Sequence, residues 1–150
     1  MAFIVRLVHV GSASLLFGGA LLIFILLRLS KRKPGDSGWD VIQDVMRIYE
    51  WAAWVSLGLI VATGIGNLGH YGDALPGPRT EWGRELTVKL GLVIVFLVVS
   101  AVRTLSVFLA AGEAASKAPA RVTGSLRNLY GATAVFVAGI VALAISLAHF

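Results

Sequence analysis

Residues 7–27, LVHVGSASLLFGGALLIFILL, contain no Asp, Glu, Lys or Arg. Roughly 20 residues rising 1.5 Å each cross a hydrocarbon core of about 30 Å, so this stretch reads as a membrane-spanning helix. Two further uncharged runs, Trp51 to Gly69 and Asn128 to Phe150, are long enough to do the same. A fourth, Leu90 to Val102, is short and must take in Lys89, Arg103 or both to span. An ionisable group inside or beside the apolar slab follows from that arithmetic.

The composition agrees. Hydrophobic residues make up 57% of the 150-residue chain and charged residues 14%, against about 25% charged in soluble domains. The expectation is a single all-α domain over residues 1–150, a polytopic, up-and-down bundle of four transmembrane helices. The first run exceeds the ~7–15-residue apolar core of a secretory leader, and it ends in Arg28 and Lys31-Arg32-Lys33 without a small-residue cleavage site, so it is expected to persist as a helix. There is no cysteine, which excludes disulfides, thiolate metal sites and Cys-x-x-Cys-His haem attachment. The formal charge of +5 sits at the ends of apolar runs, where it directs topology; the bilayer is the expected partner and nucleic acid is not.

Those basic residues orient the chain. Arg28, Lys31, Arg32, Lys33 and Arg47 lie around the first connection and Arg103, Lys117, Arg121 and Arg127 around the third. The middle connection has only Arg79 and Arg84, set against Asp73, Glu81 and Glu85. The positive-inside rule then gives a multi-pass inner (cell) membrane protein with both termini outside. Helices are expected over about 3–29, 41–68, 85–110 and 126–149, with a turn over Asp36 to Asp40 and an irregular loop around Pro76-Gly77-Pro78. Small residues recur every four positions, as Ser14 and Gly18, Gly58, Ala62 and Gly66, and Ala134, Ala138, Ala142 and Ser146. Such stripes predict close helix packing.

Candidate chemistry gathers at the outer face, where all three histidines fall. His9 lies about six residues, roughly 9 Å, inside helix 1, so its ring must find a partner. That partner is either a neighbouring helix, through Ser12 or a carbonyl, or a metal or haem. Lys89 sits at similar depth on helix 3 and either snorkels to the head groups or supplies a positive charge near His9. His70 and His149 end helices 2 and 4 and join His9 as candidate metal ligands. On the inner side Arg28, Arg47, Glu50 and Arg103 are expected to form ion pairs between helix ends, Arg103 escaping into the inner head groups. No phosphate-cradling glycine loop and no hydrolytic constellation is present.

The stretch from Leu7-Val8-His9 to Gly18-Gly19, then Thr80-Glu81-Trp82-Gly83-Arg84-Glu85-Leu86 leading into Lys89-Leu90, and Leu126-Arg127 before the last helix, resembles the copper-resistance D (CopD-like) membrane domain. The His in helix 1 and the Lys-Leu in helix 3 are also similar to the HemJ-type protoporphyrinogen oxidases, a resemblance that would imply haem b. Both resemblances carry over onto His9 and Lys89. Copper(I) favours sulfur ligands, yet only Met1 and Met46 are available; imidazoles suit copper(II) or haem.

The leading expectation is therefore a membrane haem b protein, or a haem-bearing subunit of an oxidoreductase, passing electrons from a quinone or porphyrin donor. His9, Lys89 and His149 would hold the cofactor. The first alternative is a copper-binding transport or tolerance protein using His9, His70 and His149. The second is a non-catalytic membrane anchor for partner subunits or a homodimer.

Overall fold

The computed structural model describes residues 2–30, 37–69, 80–113 and 120–147. They form four helices: α1 (Ala2–Leu29), α2 (Ser37–Gly69), α3 (Glu81–Glu113) and α4 (Ala120–Leu147). All four are long and apolar enough to cross a membrane, and no strand occurs among the described residues. The protein is an all-α, four-helix membrane bundle. Phe3, Ile48, Trp51, Leu105 and Val135 stay exposed outside the packed interior, as side chains facing lipid do.

The helices begin earlier than their apolar runs. Helix α3 starts at Glu81, not near residue 85, because Thr80 caps it: its hydroxyl accepts the Gly83 N–H at 3.1 Å, and its carbonyl accepts the Arg84 N–H at 3.0 Å. Helix α2 starts at Ser37 with Asp40 in its first turn, so residues 37–40 are helical and not a turn. An acidic residue there complements the helix dipole. Helix α4 starts at Ala120, ahead of the expected residue 126. At 33 residues, α2 and α3 are about 50 Å long and extend beyond the hydrocarbon core.

Burial on α2 follows the helical period. Trp39, Ile42 and Gln43, Met46, Tyr49 and Glu50, Ala53, and Leu57 all face inward, three or four residues apart. Helix α1 packs most extensively against α2 and α4, while α2 and α3 touch far less. The core runs through Leu16, Ala20, Ile23, Phe96, Val107, Tyr130 and Val137.

Of the small-residue stripes, Ala134 is buried in the core as expected, but the other members whose burial is described do not serve the close packing expected of them. Ser14, Gly18, Gly58, Ala62, Ala138 and Ala142 are exposed, and a Cβ at Gly18 or Gly58 would meet nothing within 4 Å. The tighter approach is one residue away, where a Cβ on Gly19 would run into the edge of the Tyr49 ring. That ring cannot retreat, since its hydroxyl donates to the Leu16 carbonyl at 2.8 Å. Gly19→Ala is therefore expected to lower stability by about 1–3 kcal/mol through overpacking. Gly18→Ala should be neutral or mildly stabilising, because alanine favours the helix. Thermal unfolding of the two variants in detergent checks the pair, and equal midpoints would refute the close contact.

Candidate functional site

The end of the bundle where α1 begins contains a cavity of about 680 Å³. All four helices line it, through residues such as His9, Phe17, Leu57, Phe96 and Val137. Only His9 and Ser14 bring polar side chains to the wall. The small side chains Ala13, Ser14, Ala138 and Ala142 line it too, so the stripes leave room between helices instead of closing it.

His9 is half-buried, and its Nδ1 lies 2.9 Å from Thr63 Oγ1 on α2. The partner is thus a threonine hydroxyl, not Ser12 or a carbonyl. Thr63 Oγ1 is itself 2.6 Å from the Leu59 carbonyl and 3.1 Å from that of Ile60. A hydroxyl has one hydrogen, and here it is committed to a backbone carbonyl. With that hydrogen on a carbonyl, Thr63 accepts from His9, and the tautomer that fits carries its hydrogen on Nδ1 and a lone pair on Nε2.

Lys89 is half-buried on α3 but does not line the cavity; Val93, one turn deeper, is the first α3 residue that does. His70 and His149 lie outside the described residues. No cluster of three or more His, Asp or Glu side chains suited to a metal occurs among the described residues.

A second polar centre lies at mid-depth. Glu50 and Arg103, each 1% exposed, form a bidentate pair: Arg103 Nε donates to Oε1 at 2.8 Å and Nη2 to Oε2 at 3.1 Å. Tyr130 donates to Oε1 at 2.8 Å, and Thr104 donates to Oε2. Trp54 Nε1 donates to Thr104 at 3.0 Å, and Arg103 Nη1 to Thr133 at 3.1 Å. The guanidinium also sits 5.3 Å and 5.4 Å from the ring centres of Tyr49 and Tyr130, near enough for cation–π attraction. Each carboxylate oxygen thus accepts two hydrogen bonds, and the charge is fully partnered. Through Tyr49 and the Leu16 carbonyl, the network reaches α1 as well.

Of the ion pairing expected among Arg28, Arg47, Glu50 and Arg103, the Glu50–Arg103 pair forms between helices, but it is buried instead of lying at the helix ends, and Arg28 and Arg47 take no part in it. Arg28 and Arg47 are exposed, Arg47 standing 3.7 Å from Asp44. Arg103 does not escape to the head groups; it turns inward to a carboxylate that offers more than water-poor lipid can. The buried α2 period, on which Glu50 falls, was the available sequence signal for this centre.

The family model for copper resistance protein D matches residues 43–147. That segment contains the Glu50–Arg103 centre and Lys89, while His9 precedes it. No curated protein and no solved structure matches the chain.

Proposed function

This chain belongs to the copper resistance protein D family, and on that premise we propose that it is a multi-pass membrane protein that binds copper(II) at His9 for transport or tolerance. The family favours copper over haem b and electron transfer, and nothing in the match supports the HemJ-type resemblance. The observation that carries the reading is His9 on the cavity wall with its Nδ1 held by Thr63; the tautomer in which Nδ1 donates leaves Nε2 its lone pair. With no cysteine in the chain, a nitrogen and oxygen donor set suits copper(II) better than copper(I). His70 and His149 are the further imidazoles that would complete the coordination. Lys89 stays outside the ligand set, since an ammonium has no lone pair to offer.

An absorption spectrum and metal analysis of the detergent-purified protein test this. Copper without a Soret band is expected. A Soret band would restore the haem reading, and neither signal after copper(II) loading would leave a membrane anchor.

The same reading places the His9 end outside. Nine basic residues lie around the two connections assigned inside, against two in the middle one. A reporter fused after Phe150 should be active only outside the cytoplasm. Cytoplasmic activity would reverse the bundle.

A further inference from the structure

Among the described residues that line the cavity, the exposed ones are Val10, Ser14 and Phe17 on α1 and Ala138, Val141 and Ala142 on α4. Those from α2 and α3, such as Leu57 and Phe96, are buried or half-buried. The mouth therefore lies between α1 and α4. Deeper in the bundle the same two helices close up, where Phe24 lies against Gly131. Every lining residue falls within the spans that are long and apolar enough to cross a membrane, so the mouth faces lipid. What enters it comes from the bilayer.

The volume, about 680 Å³, lies within the roughly 300–1,000 Å³ of pockets that hold small organic molecules. His9 stands at one end of it, and Leu16 lies seven residues, about 10 Å, deeper on the same helix. A saturated acyl chain would fill the apolar depth but bring no hydrogen to the Nε2 lone pair, and an unmet acceptor away from water is costly. The occupant that matches both ends has an apolar body and an O–H group. Phe17 and Phe96 add aromatic surface to the wall, which suits a ring.

We propose that the cavity binds the hydroquinone head of a membrane-soluble quinol, one hydroxyl donating to His9 Nε2. The second hydroxyl, across the ring, meets Ser14, which is five residues or about 7.5 Å further along α1 and is the other polar side chain on the described wall. The tail leaves through the α1–α4 mouth into lipid. An oxidised quinone carries carbonyl oxygens that only accept, and one of them would face the Nε2 lone pair, so the site discriminates in favour of the reduced form. This goes beyond the copper reading and is tested with no copper present, so either can fail alone. Copper(II) and the quinol need the same lone pair and exclude each other at His9.

The test is anaerobic equilibrium dialysis of the detergent-purified protein against empty micelles of the same detergent, with decylhydroquinone, decylbenzoquinone and decylbenzene as probes. Decylhydroquinone should accumulate with the protein and bind at least tenfold tighter than the other two, because a site built around a hydrogen bond rejects analogues that cannot make it. His9→Phe should bring decylhydroquinone down to the level of decylbenzene. Ala138→Phe, at the exposed mouth, should reduce its binding at least tenfold while leaving His9 in place. Absence of accumulation in wild type, equal binding of the reduced and oxidised probes, or full binding by either folded variant would overturn the proposal. Should a variant fail to fold, the comparison of the three probes on wild type decides.

Discussion

Arg103→Ala is expected to abolish recovery of folded protein. The substitution leaves the Glu50 carboxylate at mid-depth with Tyr130 and Thr104 as donors and no counter-charge. Breaking a buried pair by removing one partner costs about 3–5 kcal/mol, a large share of the 5–15 kcal/mol that stabilises a typical domain. The loss falls on the α2–α3 seam, which has little packing to compensate.

The double variant Glu50→Leu with Arg103→Met should recover much of the folded protein, because it removes both charges and refills the space. Its remaining deficit is the Tyr130 and Thr104 hydroxyls, each deprived of an acceptor at about 1 kcal/mol or more. Size-exclusion profiles after graded heating in detergent compare the three proteins. If Arg103→Ala were as stable as wild type, the pair would not hold the bundle together.

The legible part of this protein was the part set by hydrophobicity. Three spans follow from charge-free length and the fourth from a shorter run extended over Lys89 or Arg103, and their α-helical state follows because lipid offers no partner for an unpaired backbone. The starts of α2, α3 and α4 were less visible. The turns ahead of each run carry polar residues, and hydropathy discounts polar turns even where a cap such as Thr80 begins the helix.

The site divides in the same way. His9 was conspicuous as an imidazole inside an apolar run, and the structure gives it a partner on another helix. Glu50 and Arg103 were legible as ion-pair candidates, but their burial and exclusive pairing were not, because the two residues are far apart in sequence and each lies at the edge of an apolar run, where a charge ordinarily belongs to the head groups. Read by helical period, Glu50 shares a face with Met46, Ala53 and Leu57, which points it inward. Only the packing of α2 against α3 and α4 could show what it meets there. The stripes of small residues misled for a related reason: spacing identifies a face but not what that face touches, and here it borders the cavity or lipid.

The lone pair on His9 is the centre of the functional account. On the proposed copper reading, Thr63 accepts a hydrogen bond from His9 Nδ1–H and orients Nε2, so the two residues should act in graded order. Thr63→Val keeps the imidazole but frees its orientation and tautomer, and loss of such a supporting contact typically weakens metal binding by about 10–100-fold. His9→Ala removes the ligand itself and should weaken it further, with the fold intact because the side chain is only half-buried. The deciding measurement is copper(II) retained per protein after desalting, for wild type and His9→Ala in the same detergent. Wild type should retain copper and His9→Ala should lose nearly all of it; equal retention by both would contradict the assignment of His9 as the copper ligand.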